Sequence, residues 1–384
     1  MRQYIKGKTR RLKKLYHQLF LTPESAKTLL HSHAHAISEA QIHPVIRYHR
    51  INNIKYLELD SNILMSPTHR IKLSRLHQCE IILLQSPWNA SPEWIDGIKA
   101  LKTILPKAKL IYMDWFAPLH IPQPELLEHC DLYLKKQIPK DTTLLTKLGF
   151  DTNLEKYESQ WGNHLLSGKK IDIDPKKLER KLYLGWNFAT DATFSNLLQQ
   201  DIGSTEIRPI DLHCRIFSPP ERNSWYTHMR GRAFDAVTHL KKQVEPRFRL
   251  LSETQRIPFE QYLNELSRSK VCFSPFGYGE VCWRDFEAIL CGALLLKPDM
   301  SHIETRPNIY QPYITYIPIN WDFSDLEEKF HWAMEHPHEM KKITNNAKNV
   351  WSKYLDDWEQ EWLQIKKYSV IVLNFFIKKQ SRNF

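Results

Sequence analysis

Apolar and polar positions alternate along this chain in a βα rhythm. Glu80 to Gln85 is an apolar run of strand length, and Ser91 to Leu105 carries apolar residues at helical spacing behind a Ser-Pro-Glu start. Leu110 to Met113 predicts the next strand, ending at Asp114-Trp115-Phe116-Ala117-Pro118. A helix over Pro124 to Cys130 and a strand over Asp131 to Lys136 follow. Upstream, Ile51 to Leu59 is strand-like. Strands separated by helices predict a parallel sheet whose ligand loops lie at the strands' C-terminal ends.

From about Thr152 to Lys177 the rhythm lapses into a polar stretch that ends in an Asp/Lys-rich run, and the boundary between two lobes is expected there. A second βα series is read from Lys181 to Asn187, taken as the first strand of the second lobe. It runs on through Ile210 to Phe217, helices over Trp225 to Lys242 and Pro258 to Ser267, and the apolar run Val271 to Phe273. A glycine loop, a charged helix, the run Ala293 to Leu296 and a strand over Tyr313 to Ile317 come next. Ser324 to Trp332, His338 to Leu355 and the remaining C-terminal residues read as helices. The expected architecture is α/β, with two Rossmann-like lobes facing across a cleft and helices at the C-terminus. Its boundaries are a basic helix over 1–20, an N-terminal acceptor lobe over 21–175, a C-terminal donor lobe over 176–350, and a helical extension over 351–384.

Composition narrows the class. The chain has 384 residues, 42% of them hydrophobic and 25% charged, in keeping with a soluble globular protein. Its net charge of +11 suits nucleic acid, anionic lipid or phosphate-bearing ligands alike. Arg2, Lys6, Lys8, Arg10, Arg11, Lys13 and Lys14 precede the first acid, Glu24. With Leu12, Leu15, Tyr16, Leu19 and Phe20 they read as a helix lying on an anionic membrane surface, or equally as an amphipathic helix packed on the core. Six cysteines without a CxxC pair suit a reducing compartment, and the expected location is cytoplasmic, peripheral at the inner face of a membrane. Val370 to Ile377, the most apolar stretch, is too short to span a bilayer. His31, His33 and His35 alternate, but no matching Asp, Glu or Cys set lies nearby, and no metal site is expected.

The chemistry concentrates between Ser267 and Pro298. Strand, glycine loop (Gly277-Tyr278-Gly279-Glu280), helix and strand form a βαβ unit, the arrangement that sets a phosphate-bearing ligand at a helix start. Arg284 lies on the first turns of that helix, and Glu287 is three residues on, on the same face, suited to ribose hydroxyls. An ordinary surface pair would look the same in isolation; the joint setting favours a site. Arg230 and Arg232, with Lys241 and Lys242, form a further cationic group, either a cradle for the donor's diphosphate or a solvated basic helix, and Arg215, a further donor-site candidate, lies within a strand, where an arginine needs a partner. Gly185 ends the strand read as first of the second lobe, where the interlobe loops should gather, and is a further donor-site candidate. In the N-terminal lobe Asp114 is the first candidate for a general base and His120 the second, although a carboxylate capping a turn accounts for Asp114 nearly as well. Trp88 and Asn89, in the loop after the Glu80 strand, and Trp115 are candidates for acceptor contacts. Asp299, His302 and Glu304 form a polar cluster with no assigned role.

Ser269 to Gly277, Arg284-Asp285-Phe286-Glu287-Ala288 and Cys291-Gly292-Ala293 resemble the C-terminal signature of exostosin-like GT-B glycosyltransferases. They are similar, more loosely, to the group 1 pattern. The close match covers about thirty residues. The resemblance implies a nucleotide-sugar donor with Arg284 on phosphate and Glu287 on ribose or sugar, and no obligatory metal or cofactor. Glu280 and Glu287 are separated by six residues, where the group 1 pair is separated by seven, and the strand after Gly292 lacks the usual proline. The expected function is transfer from a nucleotide-diphosphate sugar to a glycan or lipid-linked acceptor in surface polysaccharide biosynthesis. The alternatives are a basic nucleic-acid-binding protein and a catalytically silent scaffold; with basic residues interspersed among acids beyond the N-terminus, no nucleic-acid partner is expected.

Overall fold

The computed structural model describes residues 26–31, 35–59, 64–146, 172–199, 207–217 and 225–380. The basic 1–20 segment, His33 and most of the polar 152–177 stretch lie outside these.

The first lobe opens with β1 (Thr28–His31), α1 (Ala36–Ile51) and β2 (Tyr56–Glu58). It continues through β3 (Ile81–Leu84), α2 (Pro92–Ile104), β4 (Lys109–Asp114), α3 (Leu126–His129) and β5 (Leu132–Lys135). After β6 (Gln137–Pro139) come α4 (Pro175–Lys181) and β7 (Leu182–Leu184). Helix α5 (Ala192–Gln199) leads into the second lobe: β8 (Ile210–Arg215), α6 (Trp225–Gln243), β9 (Leu250–Glu253), α7 (Phe259–Ser267) and β10 (Ser269–Phe273). Then follow α8 (Trp283–Leu290), β11 (Leu294–Pro298), β12 (Ile303–Thr305), β13 (Ile317–Ile319), α9 (Leu326–Glu335) and α10 (Pro337–Gln380).

Two all-parallel sheets result, ordered β2-β1-β3-β4-β5-β7 and β9-β8-β10-β11-β13. In each, the first strand lies between the second and the third. The chain therefore reverses its direction of winding beside that strand and leaves a crevice at the C-terminal ends, where open α/β sheets take their ligands. The runs Ile82–Leu84 and Leu294–Leu296 are buried because helices cover both sheet faces.

The strand read as first of the second lobe belongs to the first. β7 pairs with β5 as the edge of the six-stranded sheet, so Gly185 ends an N-terminal-lobe strand. The predicted strand over Tyr313 to Ile317 is displaced to Ile317–Ile319, and the separate C-terminal helices are one helix from Pro337. That helix returns to the first lobe, where Trp358 and Trp362 meet Trp186 edge-on at ring distances of 5.2 and 6.1 Å. Among the described residues no helix is long and apolar enough to cross a membrane.

The lobes are joined by an antiparallel ribbon of β6 and β12. Beside it Asn187 donates to the Thr305 hydroxyl at 2.7 Å, and Gln137 donates both to the Ala117 carbonyl (2.8 Å) and to Glu280 Oε2 (3.0 Å). These bonds hold the β4 and β10 loops against each other and so define the walls of the cleft.

Candidate functional site

A cavity of about 750 Å³ lies at the C-terminal end of the second sheet's crevice and is closed by the first lobe. The second lobe contributes Arg215 at the end of β8, Arg230 on α6, Thr254 after β9, Tyr262 on α7, and Arg284 and Glu287 on α8. Ile37 and Ala117 come from the first lobe, and Phe188 from the connection between the lobes.

The direction of α8 is set from beneath by Asp285, which is fully buried. Its carboxylate accepts from the Cys282 N–H (2.9 Å), the Ser274 hydroxyl (2.6 Å), the Tyr310 hydroxyl (2.6 Å) and Lys297 Nζ (3.0 Å). A carboxylate at the third helical position that receives the N-cap N–H fixes the first turn. With Asp285 anchored inward, Arg284 and Glu287 occupy the adjoining face and line the cavity. The sequence carried a trace of this anchor: Lys297 ends the apolar run Ala293 to Leu296, where a lysine requires a buried partner.

Arg230 and Arg284 line the same cavity, and neither has a carboxylate within 4.0 Å among the described residues. Burial, then the charge of Arg284, push the Arg230 guanidinium below its ordinary value. Arg230 donates to the Tyr226 hydroxyl and lies 5.1 Å from that ring's centroid. Glu287, the only carboxylate among the described residues lining the cavity, is pushed up to about 7 by burial, against the opposing pull of a Tyr262 hydrogen bond and the Arg284 charge. Near neutrality it exchanges a proton, able to accept from a hydroxyl when ionised or donate when protonated. Like charges gathered in a half-enclosed site favour the approach of an anion.

The structure brings together Gly277, Tyr278, Gly279, Arg215, Arg230, Arg284 and Glu287. It separates others from them. Asp114 is fully buried, bonded to Lys135 Nζ (2.8 Å), the Tyr133 hydroxyl (3.0 Å) and the Phe116 N–H (2.9 Å), and it does not line the cavity. His120 does not line the cavity either; burial and Lys135 hold it down at about 4. Glu280 points into the interlobe junction rather than the cavity, where burial raises it to about 7 and His302 Nε2 lies 3.5 Å away. Gly185 lies against Leu134, outside the cavity. Trp115 is buried, donating to the Ser86 carbonyl at 2.8 Å, while Trp88 and Asn89 are exposed beside it.

Gly279 and Arg215 both make close contacts with protein. Gly279 lacks a side chain because a Cβ there would lie 2.3 Å from the Ala117 carbonyl oxygen of the other lobe, so its close approach is to protein backbone. Arg215 has its expected partner in Glu265, through Nε and Nη2 at 2.9 Å each, and its Nη1 holds the Gln255 carbonyl of the rim at 2.8 Å. Of the alternating histidines, His31 bonds the Leu59 carbonyl at 3.3 Å and His35 caps α1. Tyr226, Tyr262 and Phe188 were not singled out in the sequence, since aromatic residues on helices and loops look like core.

No family model matches this chain. Over 51 residues, 13% of its length, it is 43% identical to protein O-glucosyltransferase 2 of Danio rerio, and that match spans 10% of the relative. Solved structures that resemble it over most of its length include two trehalose-phosphate synthases. The UDP-forming α,α-trehalose-phosphate synthase of Burkholderia xenovorans superposes with a TM-score of 0.51 at 9% identity, covering 89% of this chain and 99% of that one. A trehalose-6-phosphate synthase studied with bisubstrate glycomimetics gives a TM-score of 0.53 at 9% identity, with the same two coverages. These likenesses establish an architecture. The chain has the GT-B fold, two Rossmann-like lobes with the cavity between them.

Proposed function

We propose that this protein is a glycosyltransferase that moves a sugar from a nucleoside-diphosphate donor to a glycan or lipid-linked acceptor. The observation that carries the reading is the pair Arg230 and Arg284, two guanidinium groups in one interlobe cavity without a carboxylate in ion-pair range among the described residues. As the bond between anomeric carbon and diphosphate breaks, negative charge accumulates on the departing oxygens, and the pair stabilises it. Glu287, on the same face of α8, receives ribose or sugar hydroxyls, and Tyr262 orients its carboxylate. Trp88 and Asn89, on the opposite lip, face the acceptor. The exostosin-like signature around Ser269 to Ala293 agrees with this division, as does the glucosyl transfer named for the Danio rerio relative. Surface polysaccharide biosynthesis at the inner face of a membrane is the setting this reading assigns, with the basic N-terminus holding the enzyme near its acceptor.

A thermal-shift series on the full chain with UDP, GDP and ADP tests the donor site. UDP comes first because the Burkholderia neighbour forms it. At least one nucleoside diphosphate should raise the melting temperature by mass action, and Arg284→Ala should abolish the shift. No shift from any of them, together with salt-dependent binding of RNA or DNA, would overturn the proposal in favour of a nucleic-acid-binding protein.

A further inference from the structure

Large apolar side chains are rarely left exposed without cause when they gather at one place. Trp88 and Tyr278 are each about half exposed, and they face one another from opposite lobes with ring centroids 6.0 Å apart and planes inclined by 55°. Trp88 rests on Phe116 (5.0 Å), itself stacked on Trp115 (4.7 Å). On the other side Tyr278 meets Tyr226 edge-on at 6.0 Å, and the Tyr226 hydroxyl accepts from Arg230. One aromatic row therefore crosses the mouth of the cleft, from the buried wall of the first lobe to the arginine pair.

We propose that Trp88, Tyr278 and Tyr226 form an acceptor subsite, and that its occupant is a pyranose ring of a glycan. The inference rests on the glycosyltransferase reading and adds the chemical class of the acceptor. A pyranose is polar around its rim, but one face presents axial C–H groups and is its main apolar surface. A half-exposed indole or phenol ring matches that face, and its π-cloud attracts the polarised C–H bonds. Both rings are about half exposed and so offer open faces rather than a deep slot, which suits a flat ring and would leave an acyl chain in water. Asn89, exposed beside Trp88, offers an amide to the sugar rim. The row ends at the residue that bonds Arg230, so a sugar resting on it lies next to the position assigned to the departing diphosphate. A platform drawn from both lobes is complete only while the lobes are held together, which makes acceptor binding a reporter of cleft closure.

Saturation-transfer NMR on the full chain, using maltotriose, triacetylchitotriose and mannotriose as probes with and without UDP, tests this. At least one sugar should receive saturation at its ring C–H protons. Trp88→Ala should weaken that sugar by about tenfold or more, Trp88→Phe should largely restore it, and the UDP thermal shift should persist in both. Absence of transfer to all three sugars in the wild type, unchanged sugar binding in Trp88→Ala, or transfer only to the chains of dihexanoylphosphatidylcholine would each overturn the proposal. A wild-type protein that binds sugar through Trp88 but shows no nucleotide shift would uphold the subsite and defeat the donor reading alone.

Discussion

Arg215 and Glu265 meet through two parallel hydrogen bonds, Nε to Oε2 and Nη2 to Oε1, each 2.9 Å long. The remaining Nη1 holds the Gln255 carbonyl, so this arginine lines the interlobe cavity while its three nitrogens bond protein. Its contribution is to the shape of the rim.

Arg215→Ala should therefore lower stability more than it lowers nucleotide affinity. It leaves Glu265 beside His213, whose pKa burial lowers to about 4, with no other cation in ion-pair contact among the described residues. A cost of about 2 kcal/mol is expected, below the range for a fully buried pair because both side chains keep some exposure. Urea midpoints measure it. The nucleotide thermal shift should survive in Arg215→Ala and vanish in Arg284→Ala, and equal loss in both would assign Arg215 to the phosphate after all.

What could be read from the chain, and what could not, divides along local and non-local lines. The unit from β10 to β11 was legible because its apolar runs, glycine loop and charged helix are contiguous, and β3, β4 and β5 emerged within a few residues. Helix α1 was hidden by Pro44, which lacks the N–H that would bond the Ala40 carbonyl. The fold supplies a substitute, as the Thr190 hydroxyl donates to that oxygen at 3.0 Å from 150 residues away. No local pattern reveals this. β7 was assigned to the wrong lobe for a related reason, since an edge strand's partner is decided by packing and not by its own residues. For the cavity, Arg284 and Glu287 stand out locally as charges in one motif, whereas Arg230 reaches the same lining from a separate helix that only the fold brings there. Asp114 is ambiguous in sequence because a strand-end aspartate looks alike whether it faces a cleft or, as here, a buried lysine.

The Asp114–Lys135 contact separates those two roles by experiment. Both side chains are completely buried, so Asp114→Ala strands an unpaired ammonium and should cost about 3–5 kcal/mol. Replacing both partners, as Asp114→Asn with Lys135→Met, removes the stranded charge and should recover much of that loss. Urea denaturation and the UDP shift are the two readouts. A double variant that folds, binds nucleotide and yet transfers no sugar would restore Asp114 as the base.

Glu280 gives the junction a pH dependence. Burial lifts its carboxyl from 4.5 to about 7, with Lys136, Lys135 and Lys297 pulling the other way. Lys136 is itself held down at about 8 by burial and by Lys135. An acid whose folded value is raised favours the folded state in its protonated form. Its contribution is fully present below about 4.5, falls as the pH rises toward 7, and is absent above that. Relative to the wild type, Glu280→Gln should thus gain up to roughly 3 kcal/mol between pH 5 and 8, since an amide keeps the Gln137 contact without having to ionise. Urea midpoints at the two pH values check the sign, and a difference that runs the other way would mean the buried lysines dominate the junction.

Gly279 tests whether the lobes must stay in register for the site to work. A methyl group there would meet the Ala117 carbonyl oxygen at 2.3 Å, and Ala117 both lines the cavity and accepts from Gln137. Because the obstruction is backbone, it yields only if the two loops separate. Gly97→Ala supplies the control, since its Cβ would lie equally close, 2.3 Å, to the Leu64 carbonyl within one lobe. Each substitution should cost about 1–3 kcal/mol by overpacking. Only Gly279→Ala should also weaken nucleotide and sugar binding, because it displaces Ala117 from Gln137 and Tyr278 from Trp88. Thermal melts with and without UDP distinguish the two variants. Matching losses of nucleotide shift would mean that global destabilisation, and not the spacing of the lobes, limits the site.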